Sequence, residues 1–329
     1  MKPKKSLGQN FLKSVPALNK IVETGEISKN DIILEIGPGK GALTSKLLAT
    51  SCQLIAVEKD RNLYELLKDK FKEEISSGQL KLINEDILNL DVSSNFSSLR
   101  PSPSTGWDPR EAQNRKSHPD FKYKVIANIP YNITGAILKK FLTEKNQPKM
   151  MVLMVQNEVA KRIVARDGKE SILSISVKAY GNPKMIIKVP ARYFSPSPKV
   201  DSAIISIKNI SRTLFVQSST LHTLHTLHKS EEFEKKFWKV VHAGFAHKRK
   251  KLSSNLKKIY DPLLISPTPP DLPLSGEANG FPLIRGNARG FAGGEKNPMT
   301  RKVGVLKDLK NKRAEELTLK DWIDLVKVL

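Results

Sequence analysis

From Asp31 onward, short apolar runs alternate with longer amphipathic stretches. Ile32 to Ile36, Leu54 to Val57, Leu80 to Ile83, Val125 to Ala127 and Met151 to Val155 are short and rich in Ile, Leu and Val, the mark of strands buried on both faces. Apolar positions at helical spacing follow them near Leu43 to Leu48, Leu63 to Phe71, Ala136 to Phe141 and Val159 to Val164. This order predicts an α/β fold with a doubly wound, largely parallel sheet. Met185 to Val189 and Ala203 to Ile207 flank a Pro-punctuated turn, so they are expected to pair as an antiparallel edge and complete a seven-strand, Rossmann-like sheet.

Beyond Asn209 the pattern changes to Lys-rich helical segments, including Phe233 to Phe245 and Leu317 to Leu329, without strong strand signals. A small C-terminal helical domain is expected over 209–329, after a larger domain over 1–208. Two stretches interrupt this order, Ser93 to Asp120, rich in Ser, Pro and Asn, and Pro262 to Pro298, rich in Pro and Gly. With few periodic apolar positions to bury, both are read as flexible surface insertions. His222, His225 and His228 recur every three residues, but no Cys or carboxylate cluster adjoins them, so a loop repeat is expected and no metal site.

Charge changes the picture more than length does. The 329 residues hold 56 Lys and Arg against 33 Asp and Glu, a formal net charge of +23. Such an excess attracts polyanions, nucleic acid first and an anionic membrane surface second, but it specifies no chemistry. The lone Cys52 excludes an internal disulfide framework, and its apolar neighbours make it a structural thiol. No secretory signal follows the lysines near Met1, and no run approaches the ~20 apolar residues of a membrane span. A cytoplasmic protein without membrane contact, acting as a monomer, is expected.

Chemistry enters with Glu35-Ile36-Gly37-Pro38-Gly39-Lys40-Gly41, which follows the first strand and precedes a helix. Glycines there permit a tight turn and let a ligand approach the backbone, as in nucleotide-binding loops, although such a pattern also fits dinucleotide enzymes and plain turns. Glu58, ending the second strand, can accept from ribose hydroxyls. Asp86, ending the third, is where methyltransferase-like folds place an acceptor for the adenine amine of S-adenosylmethionine. The segment Ala127-Asn128-Ile129-Pro130-Tyr131 follows the fourth strand and so falls at the carboxyl edge, where open α/β sheets bind ligands. An aromatic amine is a poor nucleophile because its lone pair is delocalised, and acceptors for its N–H groups favour the reactive geometry. Asn128 and the Pro130 carbonyl can supply them, and Tyr131 can stack on an extruded base.

Asn128-Ile129-Pro130-Tyr131, taken with Ser6-Leu7-Gly8-Gln9-Asn10-Phe11-Leu12, resembles the rRNA adenine N6-dimethyltransferase family. The resemblance covers nearly all the chain outside the two insertions. It implies that the N-terminal segment closes over S-adenosylmethionine, with Asn10 and Leu12 joining Gly37, Glu58, Asp86 and Asn128 around the cofactor. Phe194-Ser195-Pro196-Ser197-Pro198-Lys199 is similar to a motif loop of the family, which implies that Phe194 faces Tyr131 across the target adenine. Lys199 in that loop is a candidate phosphate contact, or a solvated lysine in a Pro-rich turn. Phe245-Ala246-His247-Lys248-Arg249-Lys250 resembles the family's basic helical segment, so Lys248, Arg249 and Lys250 are expected on the RNA backbone.

The expected reaction is capture of an adenine between Tyr131 and Phe194, polarisation of its amine by Asn128 and Pro130, and in-line attack on the sulfonium methyl, twice per base. The helical tail and the Phe-x-Pro-x-Pro-Lys segment favour the branch that methylates two adjacent adenines near the 3′ end of 16S rRNA. The rival readings are a large-subunit rRNA or DNA adenine methyltransferase, and an RNA-binding assembly factor without turnover.

Overall fold

Strand β1 (Ile32–Ile36) lies between β2 (Gln53–Val57) and β4 (Tyr123–Asn128), parallel to both. With β3 (Leu80–Ile83), β5 (Met150–Gln156), β6 (Asn182–Val189) and β7 (Ser202–Lys208) the order across the seven-stranded sheet is β3-β2-β1-β4-β5-β7-β6. In this computed structural model the described residues are 4, 8–96, 122–216, 224–257, 309 and 311–329. The rest of the expected insertions, and His222 of the histidine repeat, lie outside them, as do the side chains of His225 and His228. Of the first insertion, Ser93 to Phe96 belong to a short helix, Val92–Phe96.

β7 pairs antiparallel with both β5 and β6. The antiparallel pair expected at the edge is therefore present, with β6 outermost and β7 inserted beside β5. β6 carries Pro183 and an irregularity between Met185 and Ile187, both tolerated where one side of a strand has no neighbour. The central strands are different. Met150 through Val155 are all buried, as are Ile33 through Ile36, because helices cover both faces of the sheet. Among those helices are α1 (Val15–Thr24), α2 (Ala42–Leu48), α3 (Arg61–Lys70) and α6 (Thr134–Thr143), which follows two short helices, α4 (Lys72–Ser76) and α5 (Val92–Phe96). Ser14 caps α1 by accepting from the Ala17 N–H, and Asp60 caps α3 by accepting from the Asn62 N–H.

This topology decides where a ligand can enter. The chain leaves β1 towards β2 and leaves β4 towards β5, so the connections diverge and open a crevice at the carboxyl ends of β1 and β4. The turn 37–41 and the segment after Asn128 border that crevice.

The chain divides into two compact units, Met1–Thr220 and Leu221–Leu329. The first continues past β7: Ser211 N–H donates to the Tyr180 carbonyl at 2.8 Å, and Phe215, 1% exposed, packs on Tyr180 at 5.4 Å between ring centroids. In the second, helix Leu224–Gly244 turns into Leu252–Leu256, and Leu319–Val328 supplies the buried Trp322. Trp322 stacks on Phe245 at 5.5 Å, so close to Gly244 that a Cβ there would sit 2.3 Å from the ring. Glycine is required where that helix ends.

Candidate active site

A cavity of about 650 Å³ opens at the crevice, a size suited to a nucleoside-like ligand. Its floor is the turn after β1. Gly37, Gly39 and Gly41 all have positive φ (64°, 61° and 78°), which L side chains rarely adopt, and a Cβ on Gly41 would meet the Phe71 ring at 2.6 Å. At Gly41 there is no room for a side chain, at Gly37 and Gly39 the positive φ favours glycine, and the turn keeps its backbone close to the ligand space.

Glu58 reaches the same turn from β2. Its Oε2 accepts from the Gly39 N–H at 3.1 Å and its Oε1 from the Asp60 N–H at 2.8 Å. Burial raises the Glu58 carboxyl above its ordinary value, and those N–H donors act against the rise. Asp86, after β3, accepts from the Lys59 ammonium at 2.8 Å and from the Leu88 N–H at 3.0 Å, and the Lys59 bond holds its carboxyl below the ordinary value. Both acids line the cavity.

Glu35 was quoted in the glycine motif but not expected as a site residue. It lines the cavity, is 1% exposed, and its Oε2 is buried with no hydrogen-bond partner, as is the nearby Thr44 Oγ1. Burial pushes the Glu35 carboxyl up to about 8, and the charge of Glu58 adds to the shift. An orphaned buried oxygen on a ligand cavity marks a place where a ligand donor or cation completes the structure. The signal in the sequence was its position directly before the glycine turn.

Across the crevice, Asn128 ends β4. Its Nδ2 donates to the Asn10 carbonyl at 3.2 Å, and its Oδ1 has no donor among the described residues. The Pro130 carbonyl accepts from the Ile133 N–H at 3.3 Å and keeps a second lone pair. Tyr131, half-buried, bonds through its hydroxyl to Ser202 Oγ on β7, which anchors the tip of its side chain. Seventy-one residues separate Tyr131 from Ser202, so no local pattern could have announced the pair.

The N-terminal segment crosses this cavity. Gly8 through Lys13 line it, and Phe11–Leu12 pairs antiparallel with Phe194–Ser195. Asn10 and Leu12 are thus brought to the site together with Gly37, Glu58, Asp86, Asn128, Pro130 and Tyr131.

Phe194 is not. It is 2% exposed and packs in the core with Leu12, Leu18, Val189 and Ile204, while its neighbour Ser195 lines the cavity. Alternation along the short strand explains the difference: one of two successive side chains must turn inward, and the phenyl ring has more apolar surface to bury. The expected sandwich with Tyr131 is therefore absent from this structure. Lys199 is exposed in the loop beyond.

Lys248, Arg249 and Lys250 do not lie on a helix as expected. The preceding helix ends at Gly244 and they occupy an exposed turn before Leu252. Asn255 secures this turn, its Nδ2 donating to the Gly244 carbonyl at 2.5 Å and to the His247 carbonyl at 3.2 Å. None of the three cations pairs with a carboxylate among the described residues. Among those residues there is also no group of three or more His, Cys, Asp or Glu that could hold a metal ion, and no helix long and apolar enough to cross a membrane.

Residues 1–262 match the family model described as ribosomal RNA adenine dimethylase. The chain belongs to that family. One relative, "Ribosomal RNA small subunit methyltransferase A" of Dehalococcoides mccartyi strain CBDB1, is 38% identical over 269 residues, 81% of this chain and 79% of the relative. A solved dimethyladenosine transferase from Plasmodium falciparum has a TM-score of 0.63 at 23% identity, covering 96% of this chain and 95% of that one. The 23S rRNA methyltransferase ErmE has a TM-score of 0.62 at 20% identity, covering 97% and 99%. At such identities the two structures establish a shared fold. They do not separate one rRNA target from another.

Proposed function

We propose that the chain methylates the exocyclic amines of two adjacent adenines near the 3′ end of 16S rRNA, in the small ribosomal subunit or its precursor, using S-adenosylmethionine. The observation that carries this reading is a single cavity with Glu58 and Asp86 on one side and Asn128 and Tyr131 on the other. That is one acidic wall for a nucleoside cofactor and one polar-aromatic wall for a base.

The residues fit S-adenosylmethionine. Glu58 can accept from ribose hydroxyls, Asp86 from the adenine amine, and the unpartnered Glu35 oxygen suits the cationic amino-acid end. Asn10, Leu12 and Gly37 would enclose it. The cofactor supplies a methyl group on a sulfonium, an already activated leaving group, so positioning contributes more than proton transfer.

The chain's own part is to hold the target amine. Asn128 Oδ1 and the Pro130 carbonyl accept its N–H groups, which keeps nitrogen electron density out of the aromatic ring and directed at the methyl group. Tyr131, fixed by Ser202, presents a face for the flipped adenine. Stacking is assigned to Tyr131 alone, since Phe194 is in the core. Lys248, Arg249 and Lys250 contact rRNA phosphates from the secured turn, and Lys199 is a further candidate. In this reading the unit Met1–Thr220 is catalytic and the unit Leu221–Leu329 contacts RNA, in a cytoplasmic monomer.

The test is methyl incorporation into undermethylated small subunits, large subunits and DNA, across a salt series. Small subunits are expected to accept four methyl groups each, two on each adenine, and replacing Lys248, Arg249 and Lys250 with Ala should weaken binding and flatten its salt dependence. Preferential labelling of large subunits or DNA would overturn the substrate. Absence of labelling in all three would favour a binding role without turnover.

A further inference from the structure

Asp60 caps helix α3, but a cap uses one carboxylate oxygen and one bond, and this side chain does more. It is 1% exposed and receives Lys4 Nζ at 2.8 Å on Oδ1 and Gln9 Nε2 at 2.9 Å on Oδ2, while the Asn62 N–H shares Oδ1 at 3.0 Å. Gln9 is held at its other end too, its Oε1 accepting from the Lys4 N–H at 2.8 Å. The backbone of Asp60 donates to Glu58 Oε1 at 2.8 Å. A continuous path therefore runs from the N-terminal segment through Asp60 to the carboxylate assigned to the cofactor ribose.

Beyond Gln9 the same segment spans the cavity. The Asn10 carbonyl receives Asn128, Lys40 lies over the Phe11 ring at 5.1 Å, and Phe11–Leu12 pairs with Phe194–Ser195. The far end of the segment is fastened by that strand pair and by Lys13 N–H to the Tyr193 carbonyl at 2.8 Å. At the near end Asp60 is the post. Burial raises its carboxyl, but the bonds from Lys4 and Gln9 outweigh burial and keep it below its ordinary value, so it meets them as a carboxylate. Charge-assisted bonds to a buried acceptor are stronger than neutral ones, which suits a fastening that must hold yet open.

We propose that Asp60 is a positioning residue that latches the N-terminal segment over bound S-adenosylmethionine, so that the segment covering the cofactor and the Glu58 carboxylate beneath it close as one unit. This rests on the cofactor site proposed above. Release of the cofactor then requires the latch to open, and the latch acts on the dissociation rate more than on association.

Release of S-adenosylmethionine from the full chain, followed after a chase with unlabelled cofactor, tests this. Asp60→Asn keeps a good helix cap, since Asn caps as well as Asp, but removes the charge that Lys4 and Gln9 meet. Gln9→Ala leaves the cap untouched. Both should release the cofactor about tenfold faster with thermal midpoints of the empty protein near wild type, and the double variant should be no faster than Asp60→Asn alone, because both remove one device. Release at the wild-type rate in Gln9→Ala and Asp60→Asn would overturn the latch, as would additive effects in the double variant. Should Asp60→Asn fail to fold, Gln9→Ala decides alone. If the wild-type chain does not bind S-adenosylmethionine, the cofactor site falls and the latch with it. If it binds, and Asp86→Ala weakens binding while the latch variants release normally, only the latch falls.

Discussion

Two buried carboxyls stand at opposite ends of β1 and are treated in opposite ways. Asp31, just before the strand, accepts from Lys124 Nζ and Ser28 N–H at 2.8 Å each on Oδ2, and from Lys149 Nζ at 2.5 Å on Oδ1. Lys124 in turn donates to the Gly25 and Glu26 carbonyls, tying the loop after α1 to the start of β4. Burial acts to raise the Asp31 carboxyl, yet the bonds from Lys124, Lys149 and Ser28 outweigh it and hold it well below the usual carboxylate range. Glu35, four residues on, has no cation beside it, keeps one oxygen unpartnered, and is pushed up to about 8. The saturated cluster at the amino edge leaves nothing for a ligand and serves the fold. The unsaturated carboxyl at the other edge borders the cavity and weakens the empty protein. The difference separates a buried carboxylate that stabilises from a buried carboxyl, held largely protonated, that awaits a partner.

The largest test of the comparison is Asp31→Ala, which strands Lys124 in the interior without its counter-charge. It should cost about 3–5 kcal/mol in urea unfolding, while the folded fraction binds S-adenosylmethionine as wild type does. Equal losses of stability and cofactor affinity would mean that the two edges are not independent.

Glu35→Gln comes next and works through pH. The folded-state value near 8 lies above the ordinary 4.5, so between these the folded state keeps a proton that the unfolded chain releases. The contribution of Glu35 is therefore fully present below pH 4.5, is lost as pH rises towards 8, and is flat above. Relative to wild type, the Gln variant should gain on the order of 4 kcal/mol from pH 4.5 to pH 8.5. Cofactor binding at pH 7 should release protons from wild type and none from the variant, seen calorimetrically in buffers of different ionisation heat. A pH-independent difference in stability would show that Glu35 is already ionised in the empty cavity.

The smallest effect is expected from Asp86→Ala. It should weaken S-adenosylmethionine about tenfold, ~1.4 kcal/mol, with unchanged thermal stability, because among the described residues the Asp86 side chain pairs with the exposed Lys59 and a local backbone N–H alone. Unchanged affinity in a folded variant would remove it from the site.

Much of the fold was legible because strand and helix differ in period. Each of the seven strands falls where apolar runs placed it, and the helices expected in the sheet domain lie within a residue or two of their places, whereas the helix expected over Phe233 to Phe245 begins earlier, at Leu224. The site residues that sit at strand ends, Gly37, Glu58, Asp86 and Asn128, were legible for the same reason, since a strand end in a parallel sheet has a known destination. Asn10 and Leu12 were not legible from pattern, and only family resemblance drew attention to them. Glu35 was visible but read as part of a turn, because burial without a partner is a property of packing.

What the sequence determined by itself was the periodicity that forms the sheet, the glycines that allow the turn after β1, and the identity of the acids at the strand ends. These are local, being set by backbone conformation and by residues a few positions apart. Tertiary structure decided the rest: that Phe194 faces the core while Ser195 faces the cavity, that Ser202 fixes Tyr131, that Lys248 to Lys250 form a turn, and that Lys4 and Gln9 meet Asp60 more than fifty residues away. Such choices depend on which surfaces meet across long stretches of chain, and on where apolar area and unsatisfied polar atoms can be buried together, which no short window of residues contains.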